Sequence, residues 1–268
     1  MPPSGPVAGT VATMTRTDVE VAEAALATLD LTDLNDDATL EDAEALARRA
    51  RQVGTAAVCV WPRFVSACVA ELAGSPVKVA TVVNFPSGAE GVDGVVELTR
   101  RAVADGADEI DLVLPYRAFL AGDVAAAERM IDAVGRATGP AQLKVIIESG
   151  ELASVEVIKA AARLAIDHGA DFVKTSTGKS PVSATPEAAR AILEVIRAVP
   201  KGAPAVGFKA SGGIRTTADA RVYLELADEI MGEGWVSPAT FRFGASGLLN
   251  DVLSVIEGTE TPENTSAY

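Results

Sequence analysis

The chain has 268 residues, of which 49% are hydrophobic and only 4% aromatic, and it carries a formal charge of −14 at pH 7. That length suits one αβ barrel or two small domains, and apolar mass drawn mainly from Ala, Val, Leu and Ile suits a parallel sheet buried under helices better than an all-β sandwich. The acidity excludes a nucleic-acid binder, which needs a basic face to replace phosphate counterions, and it argues equally against an anionic membrane surface.

Residues 1–15 are rich in Pro, Gly and Thr, with neither a basic n-region nor an apolar h-region, so they read as a polar mobile segment rather than a signal peptide. From there short apolar runs alternate with Ala-rich helical patterns. In chain order we expect a strand at 27–31, a helix at 40–53, strands at 56–61 and 78–83, a helix at 91–105, a strand at 109–114, a helix at 124–138, a strand at 143–147, a helix at 154–168, a strand at 171–174, a helix at 186–198, a strand at 205–209, a helix at 217–231 and a strand at 241–244. Thr39, Thr185 and Thr216 or Thr217 stand where N-caps belong, and Gly54, Gly106, Gly139 and Gly169 where helices end.

Eight apolar runs at roughly 30-residue spacing match the βαβ unit. No linker divides them, so the expected fold class is α/β, a single-domain TIM (β/α)8 barrel over residues 16–257, with 258–268 as a polar tail. An open doubly wound sheet is the alternative, but no G-x-G-x-x-G follows the first strand. Two cysteines, Cys59 and Cys68, and a single histidine, His168, are too few for a disulfide framework or a Cys/His metal site, so no metal and no cofactor is expected. No run reaches the 18 apolar residues of a membrane span, and the chain reads as cytoplasmic.

A barrel places its chemistry at the C-terminal ends of its strands. Three charged residues stand out in apolar strands there: Asp111 in EIDLVLP, Lys174 in DFVKTSTGK and Lys209 in VGFKASGG. One lysine ending a strand ordinarily reaches for solvent. Two on neighbouring strands, each before a small-residue loop, suggest an amine nucleophile. A free lysine has a pKa of about 10.4 and is almost wholly protonated at pH 7, whereas burial and a second ammonium both favour the neutral amine. These residues alone do not say which lysine is the nucleophile. Asp111 is either a core ion-pair partner or a proton carrier beside the lysines.

The loops STGK (176–179), SGGIR (211–215) and GASG (244–247) are built to bring backbone N–H groups to an anion, with Lys179 and Arg215 adding positive charge. Asp30 and Thr32 end the first strand, where ordinary capping also explains them. Asn84 reads as a turn residue, Cys59 as a small core residue, Arg63 and Arg117 as partners of acidic neighbours, and His168 as a cation at a helix end.

The segments LDLTDLNDDAT (29–39), AAVCVWPRFV, VATVVNFPSG, GADEIDLVLPYRAFLAGD, LKVIIESGEL, GADFVKTSTGK, GFKASGGIRT and RFGASGLL (242–249) together resemble the deoxyribose-phosphate aldolases, a family of Schiff-base aldolases. The resemblance implies a metal-independent TIM barrel that reversibly cleaves 2-deoxy-D-ribose 5-phosphate to D-glyceraldehyde 3-phosphate and acetaldehyde. It implies Lys174 as the Schiff-base residue, and Asp111 and Lys209 as its proton donors and acceptors. Gly178, Lys179, Gly212, Gly213, Gly244, Ala245 and Ser246 would surround the substrate and its phosphate, and Asp30 falls on an aspartate near the active site. Two departures are visible. Gly247 replaces a second serine common in relatives, which takes away one hydroxyl contact to phosphate, and KASGG replaces a common KPAGG. Tyr268, on the polar tail, resembles a tail phenol of some relatives. The partners implied are a sugar phosphate and an aldehyde, with no nucleic acid, no membrane and a possible homodimer. The rivals are a Schiff-base barrel aldolase acting on a ketose phosphate and a non-catalytic sugar-phosphate-binding barrel.

Overall fold

The computed structural model describes residues 16–259; Tyr268 and the segment 1–15 lie outside the described residues. Eight parallel strands run in the order β1 to β8 and close by pairing β8 with β1. They are β1 (Leu29–Asp33), β2 (Ala57–Val60), β3 (Lys78–Val83), β4 (Glu109–Val113), β5 (Gln142–Ile146), β6 (Phe172–Lys174), β7 (Gly207–Ser211) and β8 (Phe241–Ala245). The helices are α1 (Asp18–Ala27), α2 (Leu40–Val53), α3 (Val65–Glu71), α4 (Val92–Ala104), α5 (Tyr116–Leu120), α6 (Val124–Thr138), α7 (Val155–Asp167), α8 (Pro186–Arg197), α9 (Thr217–Met231) and α10 (Leu248–Glu257). This is a TIM barrel, as the spacing of the apolar runs predicts.

Helix starts follow local chemistry. Thr39 and Asp42 form a reciprocal capping box on α2, as do Thr216 and Asp219 on α9, while Thr185 caps α8 ahead of Pro186. Gly54 closes α2 in the left-handed conformation, at φ 79°. Buried alanines face the sheet, Ala43, Ala47 and Ala50 on α2 and Ala161, Ala162 and Ala165 on α7, so these helices lie close against the strands.

Two expectations change. The first strand begins at Leu29, because Asp18–Ala27 is a helix with its own capping box between Thr17 and Glu20. The seventh runs Gly207–Ser211, so Lys209 sits inside it rather than at its end.

Ring contacts fix which face each strand residue takes. Phe243 meets Tyr223 of α9 edge-on at 6.4 Å, and Phe241 meets Phe243 at 4.9 Å and Phe208 at 5.6 Å. These phenylalanines therefore face the helices, and strand alternation turns Arg242, Gly244 and Lys209 into the barrel. Phe172 fills the interior where Gly207 leaves room, since a Cβ at Gly207 would collide with its ring.

Candidate active site

Strand alternation puts Glu109 and Asp111 on the inner face of β4. Register then sets Asp111 beside Lys144 of β5, and aligns Lys174 with Lys209 and Lys209 with Arg242. All of these side chains, and Asp30 of β1, are buried.

They form one ionic network. Asp111 Oδ2 accepts from Lys174 Nζ and from Lys209 Nζ, each at 2.8 Å, and its Oδ1 accepts from Lys144 Nζ at 3.0 Å. Asp30 Oδ2 lies 2.5 Å from Lys209 Nζ, and its Oδ1 lies 2.6 Å from Arg242 Nη1. Glu109 closes the ring, with Oε2 at 2.5 Å from Lys144 Nζ and Oε1 at 2.7 Å from Arg242 Nη2. Six alternating charges thus make a closed cycle, Arg242–Glu109–Lys144–Asp111–Lys209–Asp30, and Lys174 hangs from Asp111 as a seventh member.

The cycle is neutral without Lys174, so Lys174 is the surplus cation. Burial lowers its pKa below the usual lysine value and the Lys209 ammonium lowers it further, while Asp111 opposes them. Burial would also lower Lys209, but Asp111 and Asp30 outweigh it and hold this ammonium firmly protonated. Asp111 is buried at a cost, yet Lys144, Lys174 and Lys209 keep its carboxyl well below the usual range. Two lysines that look alike in sequence are thereby pushed in opposite directions, the pattern expected where one group reacts as an amine and its neighbour as a cation.

Gly178, Lys179, Gly212, Gly213 and Arg215 come together around an open pocket of about 490 Å³ beside the C-terminal ends of β6 and β7. Asp30 belongs to the ionic cycle, and Thr32 donates to the Asp30 carbonyl at 2.8 Å. Gly244 leaves space for its neighbours: a Cβ there would lie 2.7 Å from Ser211 Oγ and 3.0 Å from Lys209 Cε. Ala245 is buried, and Ser246 Oγ is buried without a hydrogen-bond partner. The larger cavity, about 630 Å³, opens at the opposite end of the barrel over Glu109 and Arg242, the end that in such barrels serves stability.

The minor candidates fall mostly as read. Cys59 is a buried core residue. Asn84, left-handed at φ 56°, ties its side chain to the Val113 carbonyl and the Glu90 amide. His168 caps α7, with Nδ1 at 2.8 Å from Asp132. Arg63 and Arg117 differ from expectation. Arg63 lies over Phe64 and donates to the Ala38 carbonyl, and Arg117 lies over Tyr116 and donates to the Ser87 carbonyl. Guanidinium faces match aromatic faces as well as carboxylates.

Sequence reasoning missed Lys144, Glu109 and Arg242. The signal was present for each: a charge inside an apolar strand, the same feature that singled out Lys174.

A (β/α)8 barrel whose interior holds a carboxylate-bridged lysine pair has the groups that amine and carboxylate chemistry requires. The chain belongs to the DeoC/LacD family of aldolases, enzymes of the carbon–carbon lyase class, whose family model matches residues 24–252. It is 50% identical over 253 residues to the deoxyribose-phosphate aldolase of Agrobacterium fabrum, covering 93% of this chain and 96% of that one. Among solved structures, a protein of Coccidioides immitis described as a candidate deoxyribose-phosphate aldolase is 32% identical, with a TM-score of 0.76, over 88% of this chain and 86% of that one. The deoxyribose phosphate aldolase of Aeropyrum pernix, described as a tetramer, shares the fold at 23% identity and a TM-score of 0.72, over 89% of this chain and 92% of that one. Among the described residues no helix is long and apolar enough to cross a membrane.

Proposed function

We propose that the chain cleaves 2-deoxy-D-ribose 5-phosphate reversibly to D-glyceraldehyde 3-phosphate and acetaldehyde, through a Schiff base on Lys174. The observation that carries this is the opposite treatment of the two lysines: Lys174 is pushed toward the neutral amine beside a Lys209 held as a cation, with Asp111 touching both.

In this reading the neutral Lys174 amine attacks the C1 aldehyde of the open-chain sugar. The carbinolamine takes a proton and loses water, leaving an iminium. Asp111 and Lys209, with a water, carry these protons, since the Asp111 carboxylate touches both the reacting Lys174 nitrogen and the Lys209 ammonium. A base then removes the C3 hydroxyl proton, the C2–C3 bond breaks, and its electron pair moves into the C1–C2 enamine as the iminium nitrogen becomes neutral. D-glyceraldehyde 3-phosphate leaves, C2 of the enamine is protonated, and hydrolysis frees acetaldehyde and the Lys174 amine. The phosphate occupies the pocket formed by Gly178, Lys179, Gly212, Gly213 and Arg215, alongside Gly244, Ala245 and Ser246, a positive island in an acidic protein. A cytoplasmic location and a paired assembly belong to the same reading.

Borohydride reduction in the presence of acetaldehyde, followed by peptide mass mapping, tests it. The expected product is a two-carbon adduct on Lys174. An active enzyme with no adduct, or with the adduct on Lys209 alone, refutes the assignment. Dihydroxyacetone phosphate replacing acetaldehyde as donor points instead to a ketose-phosphate aldolase.

A further inference from the structure

Among the described residues one buried acid lies outside the ionic network. Glu148 lies two residues past the end of β5 and is fully buried, although it is a glutamate at the mouth of the barrel. Its backbone is left-handed, at φ 52° and ψ 58°, a conformation that side chains other than glycine enter only when their surroundings demand it. The demand comes from the next loop. Both Glu148 carboxylate oxygens accept from the Thr177 amide, at 3.2 and 3.3 Å, and the Ser149 amide donates to the Thr175 carbonyl at 2.8 Å. Gly150 packs so closely on the backbone of Val182 that any Cβ there would collide with its carbonyl.

Thr177 stands between Lys174 and Gly178–Lys179. Its amide is turned inward to Glu148, while its hydroxyl accepts from the Lys179 amide at 3.0 Å. Gly178, left-handed at φ 80°, takes the chain from this anchored point to the pocket beside Gly212 and Arg215. The carboxylate thus fixes the one loop that joins the amine to the anion pocket. Burial pushes the Glu148 carboxyl up, and its hydrogen bond to Thr177 and the nearby Lys174 charge pull it back.

We propose that Glu148 is a positioning residue that clamps the 175–179 loop through the Thr177 amide and so shapes the subsite for the phosphate of the substrate. This rests on the sugar-phosphate reading above. Preorganised loops bind more tightly because less freedom is lost on binding, and a hydrogen bond from an amide to a carboxylate is stronger than a neutral one.

The test is Glu148→Gly, since glycine adopts a positive φ freely and the substitution removes the carboxylate without straining the backbone. The companion Glu148→Gln keeps an acceptor oxygen at the same reach. For Glu148→Gly the KM for 2-deoxyribose 5-phosphate rises about tenfold with kcat changed less than about threefold, the KM for unphosphorylated 2-deoxyribose stays within about twofold, and Glu148→Gln recovers to within about threefold of wild type. Inorganic phosphate, titrated calorimetrically into each protein, loses about tenfold in affinity in Glu148→Gly. An equal loss on both sugars, or unchanged phosphate affinity, overturns the proposal. A wild-type enzyme that binds phosphate but leaves the sugar phosphate intact sinks the substrate reading alone, and the phosphate titration then decides the role of Glu148 independently.

Discussion

Lys174 and Lys209 are register partners on adjacent strands, and each places its Nζ 2.8 Å from the same oxygen, Asp111 Oδ2. One carboxylate oxygen cannot neutralise two ammonium groups. The second carboxylate beside Lys209, Asp30, adds to the charge that holds Lys209 protonated, while burial and the Lys209 ammonium push Lys174 toward the neutral amine.

Replacing Lys209 by Met removes a neighbouring cation and leaves Lys174 a larger share of Asp111. Both changes raise the Lys174 pKa. In the proposed Schiff-base mechanism Lys174 reacts as the neutral amine and the rate climbs with pH through that pKa, so the acid limb of kcat/KM moves to higher pH, by about 1 unit or more, and kcat falls about 100-fold or more with the loss of the proposed proton donor. A pH–rate profile of the variant decides this; a limb that moves to lower pH removes Lys209 from any part in setting the charge of Lys174.

Asp30 and Asp111 both lie below the ordinary carboxylate range: burial raises them, and the surrounding cations more than reverse it. Groups lowered in the folded state contribute stability that is complete above the unfolded value of about 3.9 and is lost as pH falls through the folded value. Urea denaturation followed from about pH 6 to about pH 3 shows stability dropping below about pH 4. Asp30→Asn makes that drop shallower. At neutral pH it destabilises by about 3–5 kcal/mol, because Lys209 and Arg242 lose a shared buried anion.

Arg242 and Glu109 give a double-mutant cycle. Arg242→Met leaves the cycle short of a cation and Glu109→Gln leaves it short of an anion, so each is destabilising. The double variant restores the balance, with Lys144 on Asp111 and Lys209 on Asp30. We expect it to be less destabilised than the sum of the singles by about 1–3 kcal/mol in chemical denaturation. Strict additivity would show that these two charges stand apart energetically despite the 2.7 Å contact.

Gly244→Ala puts a methyl against Lys209 Cε and Ser211 Oγ. Overpacking costs about 1–3 kcal/mol, and here the yielding atom belongs to Lys209, the proton carrier of the proposed mechanism. The variant folds and loses about tenfold or more in kcat, a cost in rate that a shift of 1 Å in a catalytic group suffices to cause. Unchanged kcat, with only the melting temperature lowered, limits Gly244 to packing.

Most of the fold was legible because each strand is a short apolar run punctuated by glycine and threonine signals. α2, α6 and α9 match expectation at both ends. α1 was not legible: its apolar residues run almost unbroken into β1, and the periodicity that separates helix from strand is blurred there. α3 and α5 are too short to show a period, and α10 follows a glycine loop whose anion-binding pattern drew the attention. In the site, Lys174, Lys209 and Asp111 were visible as charges in apolar strands. Their assembly was not, since Arg242 meets Asp30 across 212 positions only because the barrel closes. Opposite shifts on two similar lysines come from that closure, and no local window contains them. Glu148 escaped for a different reason: a glutamate after a strand looks like an ordinary loop residue until its backbone conformation and burial are known.

The ionic cycle also divides the chain. The three acids come from the first four strands, Asp30 on β1 and Glu109 and Asp111 on β4, whereas every cation, Lys144, Lys174, Lys209 and Arg242, comes from the last four. Each half-barrel alone would seal like charges into a medium of low dielectric, and two copies of the same half would repel across the seam. Only the first half meeting the second cancels them. The barrel thus carries a built-in check on its own assembly, in which the wrong pairing of halves is penalised by the same residues that form the ionic network of the finished barrel.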